Sequence, residues 1–314
     1  MGINLPMHHP PRPGQTATIN PVDVALFGSS SFNPSVLIEG NNIGEGTSTT
    51  AWAVVANSGT GQVVLQLGTD TGALWSRGDV MFPSGSSVPI VHGQLRTEGS
   101  ANESPGQVTV TPTIEGTVID KQLTTISATF PVLSGSNFTI NSGTQTISPG
   151  AITGIFVNGG TLTINPGSYG DLVVNGGTVT LLPGTYTFTN VTFNGGASAG
   201  TLQSNGVNAA IRVNVRFTLI FRGACTANTG GTNGYLTSNL RFAVFGSQAT
   251  IGARVNPDTN VFRATVVAMN GTLIVEDSQR TYRGAFFGQS VTVHSNAVIQ
   301  HFGFAAANWE TPTG

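Results

Sequence analysis

Apolar and polar residues alternate through the middle of the chain in short runs that repeat. Residues 175–186 read NGGTVTLLPGTY, residues 158–169 read NGGTLTINPGSY, and residues 141–150 read NSGTQTISPG. Asn141, Asn158 and Asn175 are 17 apart, as are Pro149, Pro166 and Pro183, and a further NGGAS begins 19 residues on at Asn194. Self-similarity at a fixed period near 20 residues marks a solenoid. Seventeen residues of extended chain with turns close a circuit of very roughly 50 Å, which suits one coil of a β-helix. In GTLTIN, Leu162 and Ile164 share one side of the strand and Thr161 and Thr163 the other; in GTVTLL, Val179 and Leu181 oppose Thr178 and Thr180. Stacked coils therefore predict an aliphatic interior and an outer ladder of Thr144, Thr146, Thr161, Thr163, Thr178 and Thr180. Gln145 stands where an aliphatic residue is expected, which suits an end of the stack or a corner. The Asn-Gly-Gly and Pro-Gly pairs place corners at Gly150, Gly160, Gly167, Gly177 and Gly184.

Elsewhere the alternation is looser. Residues 22–130 carry runs such as SVLIEG, TAWAVVAN, GQVVLQLG and QVTVTPTI between turn-forming NSGTG, GTDTG, PSGSS and NESPG. Strands so spaced predict a sandwich or an irregular β layer. Beyond Arg212, strands rich in Val, Phe and Ile continue to about 305, with arginine stems beside apolar residues. No stretch keeps a 3.6-residue period. The reading is an all-β chain: a Pro-rich arm (1–21), a β-rich domain (22–130), an irregular right-handed parallel β-helix (131–305) and a tail (306–314).

The ordered set PGSYGDLVVNGG, LLPGTYTFTNVTFNGGA, SNLRFAVFG, ATVVAMNGTLIVED and YRGAFFGQSVTVHSNAVIQHF resembles a β-solenoid domain of bacterial surface proteins with Pro-Gly-x-Tyr coils. Such domains occur in pilus-associated and myxobacterial-type secreted proteins and have no established activity. The resemblance covers about residues 130–303. It implies a surface-exposed or extracellular solenoid and transfers no catalytic residue.

Composition narrows the chemistry. Of 314 residues only 8% are charged, 42 are Gly, and the formal net charge is −2. That balance gives no footprint for nucleic acid and weakens repulsion between copies. No run of 18 apolar residues predicts a membrane span, and the start of the chain shows no apolar signal region. Cys225 is the one cysteine, so no disulfide framework arises, and a buried inert thiol is expected. Asp171 is the sole charge between Asn141 and Ile211. Glycosidase chemistry needs two facing carboxylates, whereas adjacent Glu276 and Asp277 point to opposite sides of a strand. His294 and His301 lack a third ligand for a metal, and no nucleophile elbow or phosphate loop is present. No cofactor is expected.

These features lead to a non-enzymatic extracellular or cell-surface structural protein that self-assembles into a fibre, coat or appendage, as a homo-oligomer or homopolymer. The alternative is a protein that binds or cleaves a surface glycan through Asp258, Glu276 and Tyr282. A third reading is ice binding by the threonine ladder.

Overall fold

The computed structural model describes residues 128–194 without a break. It also describes strands with adjoining residues between 24 and 114 and between 200 and 301. Among them every strand belongs to one sheet whose pairings are all parallel, wound into a solenoid of three faces. A regular coil runs Asp171–Val174 on the first face, Thr178–Leu181 on the second and Gly184–Phe188 on the third. The next coil places Val191–Phe193, Thr201–Ser204 and Ile211–Val215 above them in register. Phe262–Val275 and Thr281–Val293, of 14 and 13 residues, each pass through all three faces as continuous bent strands.

Residues 22–130 are β-rich, as expected, but their strands form neither a sandwich nor a separate layer. Val24–Gly28 lies on the third face against the middle of Thr281–Val293, with Leu26 opposite Phe286. Val36–Ile38 lies on the first face against residues 291–293. Asn42–Ile43 lies on the second face against Val298–His301. The strands from Trp52–Ala56 to Thr113–Ile114 then continue the same three rows. Strands of two to five residues bury too little to stand alone. The open end of the solenoid supplies the ladder they lack. One coil is thus shared: its second face comes from Val298–His301 and its third and first faces from Val24–Gly28 and Val36–Ile38. The whole stack is about 50 Å long at 4.8 Å per layer.

Residues 114 and 136 lie at opposite ends of this stack. The described part of the return, 128–135, follows the edge between the third and first faces. Phe130 meets Phe245 edge-on at 5.3 Å, and Ser136 N donates to Ala151 O four layers away. Five residues of extended chain cover about 17 Å, close to the rise of four layers. Pro131 therefore lies on a strap along the stack and not at a boundary between two folds.

The interior follows the two-residue period. Leu162, Ile164, Val179 and Leu181 are buried, as expected, and the aromatic interior includes Phe193 stacked on Phe221 at 4.5 Å. The Pro-Gly-x-Tyr tyrosines turn inward: Tyr169 Oη donates to Asn165 O, and Tyr186 Oη reaches Leu182 O at 2.6 Å and Ile164 O at 2.8 Å. Cys225 is buried and forms no disulfide. No helix among the described residues is long and apolar enough to cross a membrane.

Candidate functional surfaces

The second face carries the threonine ladder in register. Thr144, Thr161, Thr178 and Thr201 form one column, and Thr146, Thr163, Thr180 and Gln203 the other. Thr201 extends the first column by a coil that the sequence period hides, because residues 195–199 lengthen the turn before it. Thr144 and Thr146 are exposed and the four threonines above them half-buried. Beside them, at the corner with the first face, Asn158 donates to Asn141, Asn175 to Asn158 and Asn194 to Asn175, at 2.8–2.9 Å. Side-chain amides stacked at the coil spacing both donate and accept, so one residue type satisfies a whole column.

The glycine corners hold this face flat. Gly160 and Gly177 have φ of 76° and 81°, and a Cβ on either would lie 2.5 Å from the carbonyl oxygen one coil below. Gly167 and Gly184 close the Pro-Gly corners against the rings of Pro149 and Pro166, while Gly150 faces open space.

The first face holds a column that sequence reasoning missed. Phe156, Val173, Thr192, Ile220, Ile274, Thr292, Leu37, Val64 and Met81 follow one another up the stack as outward, half-buried positions. Apolar runs such as GIFVN conceal it, since nothing in them separates inner from outer residues. A polar column runs beside it: Asn190 donates to Asp171 at 2.8 Å, Thr218 donates to Asn190, and Thr272 and Ser290 share a hydrogen bond.

The third face is closed to solvent through the middle of the stack. Outward positions Ala243, Thr265, Val267, Ala285, Phe287 and Ala25 are all buried. Arg241, expected to keep its head in water, is fully buried there and donates to Asn214 Oδ1 at 3.3 Å. Arg212 stands below it, and Arg263 and Arg283 pair in the next two layers. Burial and the neighbouring Arg283 charge lower the pKa of Arg263. Arg283 Nε donates to Gln300 Oε1 at 2.7 Å.

The groups considered for chemistry are dispersed. Tyr282 is 2% exposed, packed against Phe262 and Phe286, with its hydroxyl donating to Glu276 O. It therefore offers no ring face to a sugar: alternation in TYRGAFF sends it inward. Glu276 is exposed, and Asp258 lies outside the described residues, as does the His301 side chain. His294 Nδ1 sits 2.8 Å from Glu39 Oε2. No group of three or more His, Cys, Asp or Glu side chains among the described residues is placed to hold a metal.

No protein-family model and no curated protein matches the chain. Among solved structures it is similar to an ice binding protein from an Antarctic bacterium, Flavobacteriaceae. The two share 15% identity over 90% of this chain and 80% of that one, with a TM-score of 0.27. A likeness at that level assigns no function.

Proposed function

We propose that this is a non-enzymatic structural protein, extracellular or displayed on a cell surface, that works through its flat faces and by association with copies of itself. One observation carries the reading. The first face presents a half-buried, largely apolar column along the length of the stack, flanked by uncharged ladders of Asn, Thr and Ser. Contiguous apolar surface of this kind marks an interaction site, and low charge leaves little repulsion between copies. Light scattering and negative-stain microscopy of the purified protein test it. Concentration-dependent assemblies are expected, and monodisperse monomers at every concentration overturn the reading.

Ice binding is the second reading, favoured by the two in-register threonine columns of the second face. Regular hydroxyl and methyl groups on a flat, uncharged surface suit an ordered water lattice. Thermal hysteresis that falls sharply in Thr161→Tyr and Thr178→Tyr supports it; no hysteresis in the parent protein ends it. The glycan reading has no observation behind it, since Tyr282 is internal.

A further inference from the structure

The two ends of the stack differ. At one end Ile90–Val91, Ala101–Asn102 and Thr113–Ile114 have two residues each. At the other, Ser136–Ile140 and Thr144–Ile147 have five and four, and among the described strands each pairs on one side alone. Asn158 N donates to Ile140 O, and Asn165 N to Ile147 O. Backbone groups on a parallel strand alternate between its two neighbours. Phe138, Ile140, Gln145 and Ile147 therefore bond to the next coil, while Asn137, Thr139, Thr144 and Thr146 direct N–H and C=O away from the stack. The side chains of these last four and of Gln145 are exposed, and Phe138 is half-buried.

Proteins usually blunt such an edge with charge, proline, a bulge or a cover. Neither strand contains a charge or a proline. The strap enters along the edge between the third and first faces, as the Phe130–Phe245 contact shows, and does not cross the end. The same chain already builds a coil-on-coil junction between segments 255 residues apart, where residues 24–43 stack on 285–299. Backbone ladders over an open coil are thus a working joint in this molecule.

We infer that this open end pairs with the same end of a second copy, about a two-fold axis through the corner at residues 141–143; this rests on the assembly reading above. The two-residue strands at the far end are too short to continue the ladder head to tail. The like end matches: the two-fold lays the five-residue strand of one copy antiparallel to the four-residue strand of the other, twice. Inward residues must face inward residues. The register that obeys this sets Ile140 opposite Gln145, Phe138 opposite Ile147 and Thr139 opposite Thr146. Thr139 and Thr146 are both among the residues whose backbone points outward, so they form a hydrogen-bonded pair. Alternation and bonding parity thus agree on one register. The contact covers Phe138 and yields a rod of about 100 Å, twice the single stack. Two short ladders fall below the area of a standard stable interface, so the dimer is a concentration-dependent equilibrium.

Sedimentation equilibrium of the full chain over a concentration series tests this. The parent is expected to approach twice the monomer mass. Thr139→Lys with Thr146→Lys, both at exposed outward positions, is expected to stay monomeric with an unchanged melting temperature. Mixing a Thr139→Cys copy with a Thr146→Cys copy under mild oxidation is expected to give a crosslinked dimer that neither forms alone; Cys225, being buried, does not compete. Association that is undiminished in the double lysine variant overturns end pairing while leaving assembly through the faces standing. Crosslinking as efficient in either single variant as in the mixture overturns the register. A monomeric parent at every concentration overturns both the pairing and the assembly reading.

Discussion

Tyr169 and Tyr186 close successive coils from within, and their environment gives each a measurable signature. Burial pushes the Tyr169 phenol up to about 12, and the same cause moves Tyr186 further in that direction. A phenol whose folded pKa exceeds its unfolded value near 10 stabilises fully below pH 10 and loses that contribution as pH rises toward and beyond 12. Thermal melts should therefore be flat through neutral pH and fall steeply above about pH 10. Tyr169→Phe combined with Tyr186→Phe should soften that fall. Each substitution should cost about 1 kcal/mol at pH 7, because a buried carbonyl loses its donor. A fall equally steep in the double variant would mean that other groups govern alkaline unfolding. Tyr282 shows the same residue type misread from sequence. Its neighbours suggest a surface aromatic until the alternation is followed from Phe286 back to it.

At the scale of the coil, repetition makes the fold legible. Alternation alone separates Leu162, Ile164, Val179 and Leu181 from the threonines opposite, and the 17-residue period places the corners at Gly160 and Gly177. Corner chemistry also sets a contrast between two glycines of similar local sequence. Gly177→Ala forces a positive φ and a Cβ 2.5 Å from Gly160 O, and should destabilise by about 1–3 kcal/mol. Gly150→Ala meets nothing within 4 Å and should lie within about 0.5 kcal/mol of the parent. Urea midpoints at equal slope decide between the two sites. Thr201 was hidden because the inserted turn shifts the count, although the register carries on unchanged. The outward Phe156–Val173–Ile220 column was hidden for another reason: in a strand apolar on both sides, period two carries no information.

At the scale of the molecule, the seam between residues 24–43 and 285–299 decides whether there is one structure or two. No local pattern announces it, since each strand's partner lies far away in the sequence and the strands are short. Its strength should reside in ladder and packing. Phe27 and Phe287 meet across it at 6.1 Å, both buried, so Phe287→Ala should cost about 3 kcal/mol or more. Glu39 and His294 also bridge it, but their side chains are 28% and 40% exposed, so Glu39→Gln should cost less than about 1 kcal/mol. The seam also permits a new chain order. A permutant that joins residue 301 to residue 24 by a short linker and opens the chain between 114 and 128 should keep the far-UV spectrum and unfold cooperatively. An unfolded permutant would show that the joint needs the native connectivity.

The shared coil finally sets a timetable. Residues 24–114 are synthesised first, yet the strands against which they stack, 281–301, are synthesised last. The regular coils from Thr144 to Phe188 can nucleate locally and grow layer by layer. The early segment meanwhile has no template until nearly the whole chain has been made. Closing that seam means closing a loop of some 255 residues, an entropic barrier that coil growth never meets. Until it closes, the newborn protein carries a second open end, formed by the strand edges of residues 285–299.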